Sequence, residues 1–107
     1  MENKFRAFDV AGKAWPILIE LANSREIITY GVLAEQLKVH HRSCRYFLSL
    51  IQNHCKENKL PPLQSLVVNK NSKRPGEGYW ATSTTNMSEV HSSVFDFNWK
   101  TQENPFL

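Results

Sequence analysis

Residues Thr29 to Leu60 read TYGVLAEQLKVHHRSCRYFLSLIQNHCKENKL, and two apolar stripes within this stretch decide the fold. Thr29 is of the type whose hydroxyl accepts from the backbone N–H groups that open a helix, and Val32, Leu33 and Leu37 follow at helical spacing. Lys38 to Ser43 is too polar and too rich in histidine to continue that stripe. Phe47, Leu48, Leu50 and Ile51 resume it and Cys55 extends it, so a second helix is expected from about His41 to Asn58. That helix carries Arg42, Arg45 and Lys56, with Lys38 in the turn before it. A short helix, a turn and a longer basic helix is the arrangement that presents a helix to a DNA groove.

Working outward, Pro61 and Pro62 cannot continue the helix, and Leu66, Val67 and Val68 suit a strand. Asn69 to Gly78 (NKNSKRPGEG) is dense in turn residues and runs into Tyr79 and Trp80, which predicts a hairpin with Lys70, Lys73 and Arg74 at its tip. A basic hairpin after a recognition helix is the wing of a winged-helix fold, placed to reach phosphates. Beyond the polar loop Ala81 to Asn86, the spacing of Val90, Val94 and Phe97 predicts a short last helix, and Phe106 is expected to dock from an irregular tail. On the N-terminal side, Asp9 to Asn23 has one apolar side of Ala14, Trp15, Leu18, Leu21 and Ala22, with Pro16 in its first turn or at a kink. Trp15 can stack on a base, but its helical spacing with Leu18 and Leu21 assigns it to the core. The connection Ser24 to Ile28 is short, and Ile27 and Ile28 are a candidate brief strand. The expected architecture is α+β: a small winged helix-turn-helix with three helices, a two-stranded wing and a short C-terminal helix.

The chain's 107 residues, 41% hydrophobic and 21% charged, fit one domain over 1–107 with a single small core. No apolar run reaches the roughly 18 residues of a membrane span and MENKFRAFDV lacks a signal-peptide core, so a cytoplasmic location is expected. Cys44 and Cys55 lie eleven positions apart in one predicted helix and cannot bridge within it; reduced, buried thiols follow. Charge is segregated. Residues 38–74 hold eight cations (Lys38, Arg42, Arg45, Lys56, Lys59, Lys70, Lys73, Arg74) against Glu57 alone, a net +7, whereas 1–37 carry a net −1 and 75–107 a net −3. Such a block is the footprint of a polyanion-binding face, the bland alternative being a solvated basic surface.

The stretches ITYGVLAEQL, Arg45 to Ile51, LPPLQSLVVN and GEGY resemble the DNA-binding domain of alkylguanine-DNA alkyltransferases and their non-catalytic alkyltransferase-like relatives. The likeness covers roughly residues 27–80 and its motifs are short; the family's pattern is a Tyr-Gly-x-Leu-Ala helix start, an arginine at the start of the recognition helix and a Pro-Cys-His-Arg-Val active-site run. The resemblance implies that Tyr30 crowds the backbone of a flipped nucleotide and that Arg45 intercalates, one residue later than the pattern expects, with Arg42 competing for that role. With Val67 and Val68 matched to the family's valines, Gln64 and Ser65 stand in place of Cys and His. Alkyl transfer needs an activated thiolate, and an amide cannot serve. What the resemblance implies is therefore binding without turnover, as in relatives found among small bacterial or phage proteins.

On chemistry alone, an arginine opening a recognition helix pairs with guanine, fills the gap left by an extruded base, or touches a phosphate. Tyr30 lines a nucleotide site or packs at the helix start, and Gly31 lets a phosphate approach the helix N-terminus. The candidate DNA-binding set is Tyr30, Gly31, Lys38, His41, Arg42, Arg45, Lys70, Lys73 and Arg74, with His40 beside His41 in the turn. His40, His41, Cys44, His54 and Cys55 lack paired Cys motifs or a second cluster at finger spacing, and the chain has no phosphate loop, nucleophile elbow or paired carboxylates. The expectation is a non-enzyme, without cofactor or metal, acting on double-stranded DNA and possessing no membrane partner. The alternative is a small phage or mobile-element protein that uses the same frame to block a host defence or replication factor.

Overall fold

The computed structural model of the chain describes residues 7–70 and 87–106. The Thr29 hydroxyl accepts from the Val32 backbone N–H at 3.3 Å and opens helix α2, Tyr30–Leu37. Before it lie helix α1, Ala7–Ser24, and strand β1, Ile28–Thr29. After it come a 3-10 turn at His41–Ser43, helix α3 at Cys44–Glu57, a second 3-10 turn at Leu63–Leu66 and strand β2 at Val67–Val68. Helix α4, Met87–Asp96, and a 3-10 turn at Trp99–Thr101 close the described chain. Among the described residues the protein is thus an α+β fold, mostly helical, with four α-helices and one two-stranded parallel sheet.

The basic helix departs from its expected start. His41, Arg42 and Ser43 wind as a 3-10 turn because the His40 ring caps there, its Nδ1 accepting from the Arg42 N–H at 3.1 Å, while Ser43 makes no side-chain cap. The strand after the prolines finds its partner upstream: Val67 pairs with Ile28 and Val68 with Thr29, in parallel. A parallel pair requires a long crossover, which α2 and α3 supply. Of the expected wing, Asn69 and Lys70 are described; Lys73, Arg74 and the rest through Gly78 lie outside the described residues, as does the loop Ala81 to Asn86.

Pro16 sits in the middle of α1 and not in its first turn. Proline has no N–H, so the carbonyl four residues back, Gly12, loses its helical donor. The C-terminal tail replaces it. Asn104 Nδ2 donates to the Gly12 carbonyl at 2.7 Å, while Asn104 Oδ1 accepts from the Phe106 N–H at 3.0 Å. The tail is thereby fastened over Trp15, which is 2% exposed and meets Trp99 and Phe106 edge-on at 6.0 and 6.2 Å. Trp99 satisfies its indole N–H on the Val94 carbonyl at 2.8 Å. Leu18, Leu33, Phe47, Ile51, Leu63 and Val94 complete this core, all without exposed surface; burying each such side chain contributes about 1.5–3 kcal/mol.

Three helices end in the same way. Arg25, Lys38 and Lys59 adopt φ of 57°, 60° and 57° just past α1, α2 and α3. In each case the following residue's N–H reaches back to the carbonyl five before it: Glu26 to Leu21, Val39 to Ala34 and Leu60 to Cys55, at 2.8–3.0 Å. These are left-handed helix stops of the kind glycine usually makes. A cation in that place carries the steric penalty of a Cβ at positive φ and recovers part of it from the negative end of the helix dipole. At the α1 stop, Arg25 also pairs with Asp96 and lies over the Phe95 ring at 5.8 Å, tying α1 to the end of α4. No helix among the described residues is long and apolar enough to cross a membrane.

Candidate nucleic-acid interface

The beginnings of α2 and α3 are held together by a buried thiol. Cys44, the first residue of α3, points inward and its Sγ donates to the Tyr30 carbonyl at 3.8 Å. Tyr30 and Gly31 therefore lie beside the 3-10 turn and first turn of α3. With Cys44 turned inward, the next residues on the helix, Arg45 and Tyr46, turn outward and are exposed. The Arg45 guanidinium lies over the Tyr46 ring, 5.3 Å from its centroid, and Tyr46 is 53% exposed. Such an arrangement holds a planar cation over an aromatic face at the protein surface.

Around this pair stand the other turn residues. His40 and His41 are exposed and stack with ring centroids 4.4 Å apart, and Arg42 and Lys38 are exposed next to them. Among the described residues no carboxylate pairs with Lys38, Arg42 or Arg45. Lys70 is exposed two residues beyond Val68, at the end of the parallel ladder from which Tyr30 and Gly31 also depart. An added Cβ at Gly31 would meet nothing within 4 Å, so the protein's own packing does not demand glycine there. Seven of the nine candidate residues are thus described at the start of α2, in the turn after it, at the start of α3 and at the ladder's end; Lys73 and Arg74 lie outside the described residues.

Tyr46 escapes sequence reasoning. Its signal is an aromatic beside an arginine on a surface position of the helix, but the apolar stripe points to Phe47 instead. Burial keeps both thiols protonated at neutral pH. Burial pushes Cys44 up to about 11, and burial pushes Cys55 up to about 11 against a smaller opposing effect of a hydrogen bond with the Leu63 backbone. Both are free and buried. Among the described residues, His, Cys, Asp and Glu nowhere gather in a group of three or more able to hold a metal ion.

The 3-10 turn Leu63–Leu66 carries the two residues aligned with Cys and His of the resemblance. Gln64 and Ser65 are both buried, and the His91 ring nitrogen Nε2 sits 2.8 Å from the Ser65 carbonyl. A carbonyl only accepts, so that nitrogen carries a proton. No family model, curated protein or solved structure matches the chain.

Proposed function

We propose that the protein binds double-stranded DNA without acting on it chemically, through a winged helix-turn-helix of alkyltransferase-like type. The observation that carries this reading is the cluster at the start of α3. Lys38, Arg42 and Arg45 lie exposed and without carboxylate partners among the described residues, next to two stacked histidines and the opening of α2. Cations left unpaired on a protein surface attract polyanions and release counterions when they meet phosphate. Arg45, laid over Tyr46, is the group best placed to enter a groove or the gap left by an extruded base. Lys70 would extend the interface to flanking phosphates, and so would Lys73 and Arg74, which lie outside the described residues, if the expected wing forms.

Binding without turnover is supported by chemistry. At the place where the resemblance puts a nucleophile stands Gln64, whose carboxamide forms no stable alkyl adduct. The thiols elsewhere ionise only near pH 11. The test is binding of labelled duplex across ionic strengths. Arg42→Ala with Arg45→Ala should weaken affinity at least tenfold and flatten the salt slope by roughly 2, about 0.9 for each phosphate that is no longer neutralised. A wild-type protein that binds no duplex even at low salt would end this reading and leave the alternative of an acidic protein partner.

A further inference from the structure

Aromatic rings left at a protein surface call for a reason, and the basic cluster holds three of them. Elsewhere such rings pack: Trp15, Phe47 and Trp99 are at most 2% exposed, and even Phe8, 54% exposed, meets Phe106 edge-on at 5.2 Å. Tyr46 is 53% exposed with the Arg45 guanidinium over its ring, and His40 and His41 stack on one another in the exposed turn just ahead. Val32, in the first turn of α2, adds apolar surface at 46% exposure, and the Cys44–Tyr30 bond draws the start of α2 to the start of α3. Contacts to phosphate need cations and N–H groups, which rings do not supply. Flat aromatic faces set among cations are what binds the face of a base.

We propose that the rings of Tyr46 and of the His40–His41 pair form a stacking platform for unpaired bases, so that the preferred ligand is duplex DNA interrupted by a short single-stranded stretch. The proposal rests on the DNA-binding reading above and adds which DNA is bound. In an intact duplex each base face is covered by its neighbours, and a ring on the protein has nothing to stack on; in a gap the faces are open. Lys38, Arg42 and Arg45, without carboxylate partners among the described residues, complement the phosphates on either side. Stacking then adds affinity that is tolerant of sequence, because every base has a π-face. The platform is set before the ligand arrives. The His40 ring is fixed by its Nδ1, which accepts from the Arg42 N–H at 3.1 Å, and the Tyr46 ring by the guanidinium 5.3 Å from its centroid. Rings already held in place lose little freedom on binding. The Arg45 guanidinium is itself planar and offers a base a further surface. Because these groups lie at the open surface, a base reaches them without entering the fold.

The experiment uses three labelled DNAs: a blunt duplex, the same duplex with a central gap of about four nucleotides, and that gapped duplex with its unpaired nucleotides replaced by abasic analogues. The two gapped DNAs carry the same phosphates and differ only in their bases. Wild type should bind the gapped duplex more tightly than the other two, by about tenfold over its abasic counterpart, the effect of one well-stacked base. Tyr46→Ala should remove most of that ratio and Tyr46→Phe should keep it, since the ring stacks and the hydroxyl does not. The ratio should persist from low to high salt, because both gapped DNAs release the same counterions. Equal affinity of the wild type for the two gapped DNAs, alongside salt-dependent binding of the blunt duplex, overturns this proposal and spares the DNA-binding reading. A ratio that Tyr46→Ala leaves intact overturns the assignment of the platform to this ring. A wild type that binds none of the three ends both readings. The comparison of the two gapped DNAs is made on the wild type and stands whether or not a variant folds.

Discussion

Helix α3 is one helix with two environments. Toward its C-terminus, Ile51 and Cys55 have no exposed surface, and the His54 ring meets Trp15 at 5.5 Å and Phe106 at 6.1 Å. Toward its N-terminus, Cys44, Phe47 and Leu48 are buried on one side while Arg45 and Tyr46 are exposed on the other, with Arg42 and two histidines just ahead. The first region is closed by aromatic packing and by the tail; the second is fastened from beneath by one thiol hydrogen bond and leaves its charges in water. Stability and the proposed recognition thus fall on different residues of one element, so each should be open to damage without the other.

The largest effect is expected in the closed region. Trp15→Ala removes the ring that Trp99, His54 and Phe106 pack against and should cost about 3–5 kcal/mol in a denaturant titration, a large part of the roughly 5–15 kcal/mol that domains of this kind possess. Arg45→Ala, by contrast, should stay within about 0.5 kcal/mol of wild type in the same titration while weakening duplex binding. Equal destabilisation by the two substitutions would erase the distinction between the regions.

Next in size is an alkaline effect. Cys44 and Cys55 have folded-state values raised from 9.0 to about 11, so the unfolded chain loses these protons first as pH rises. Their contribution is fully present below pH 9 and is lost as pH climbs toward 11, on the order of 2 kcal/mol for each thiol. Urea titrations at pH 8 and pH 10.5 should show it, with a shallower fall in Cys55→Ala. Thiol reagents should label neither cysteine quickly until denaturant is added.

The tail offers a smaller and sharper test. Asn104→Ala strands the Gly12 carbonyl that Pro16 deprives of its donor, at about 1–2 kcal/mol. In a Pro16→Ala background the helix supplies its own N–H, so the same substitution should cost clearly less. A double-mutant cycle gives the coupling directly; a value near zero would mean that the tail holds on by Phe106 alone.

Much of the helical framework is legible in residue spacing. The apolar stripes of 29–60 place α2 and α3, Trp15 with Leu18 and Leu21 places α1 in the core, and Val90 with Val94 places α4. Helix ends are less legible because the chain stops α1, α2 and α3 with Arg25, Lys38 and Lys59, and a cation in a polar stretch looks the same inside a helix as just beyond it. The partner of Val67 and Val68 is not legible either, since a parallel pair across two helices leaves no local mark. For the candidate site, the residue order supplies the charges and their succession; Tyr46 beneath Arg45 depends on which way side chains turn, and only coordinates give that.

The helix stops allow the finest separation of the two regions. Lys38 and Lys59 share one backbone conformation and one hydrogen-bond pattern, with Lys38 in the proposed DNA face and Lys59 past the far end of α3. Lys38→Gly and Lys59→Gly each remove a Cβ from positive φ, and each should stabilise the protein by up to about 1 kcal/mol, less the added freedom of the unfolded chain. Thermal melts should therefore move upward together. Duplex affinity should not: Lys38→Gly should lower it severalfold at low salt and reduce the salt slope by about 0.9, while Lys59→Gly leaves both nearly unchanged. A matched fall in affinity in the two variants would show that removing any one charge suffices, and that the basic block attracts DNA as a diffuse field with no face of its own.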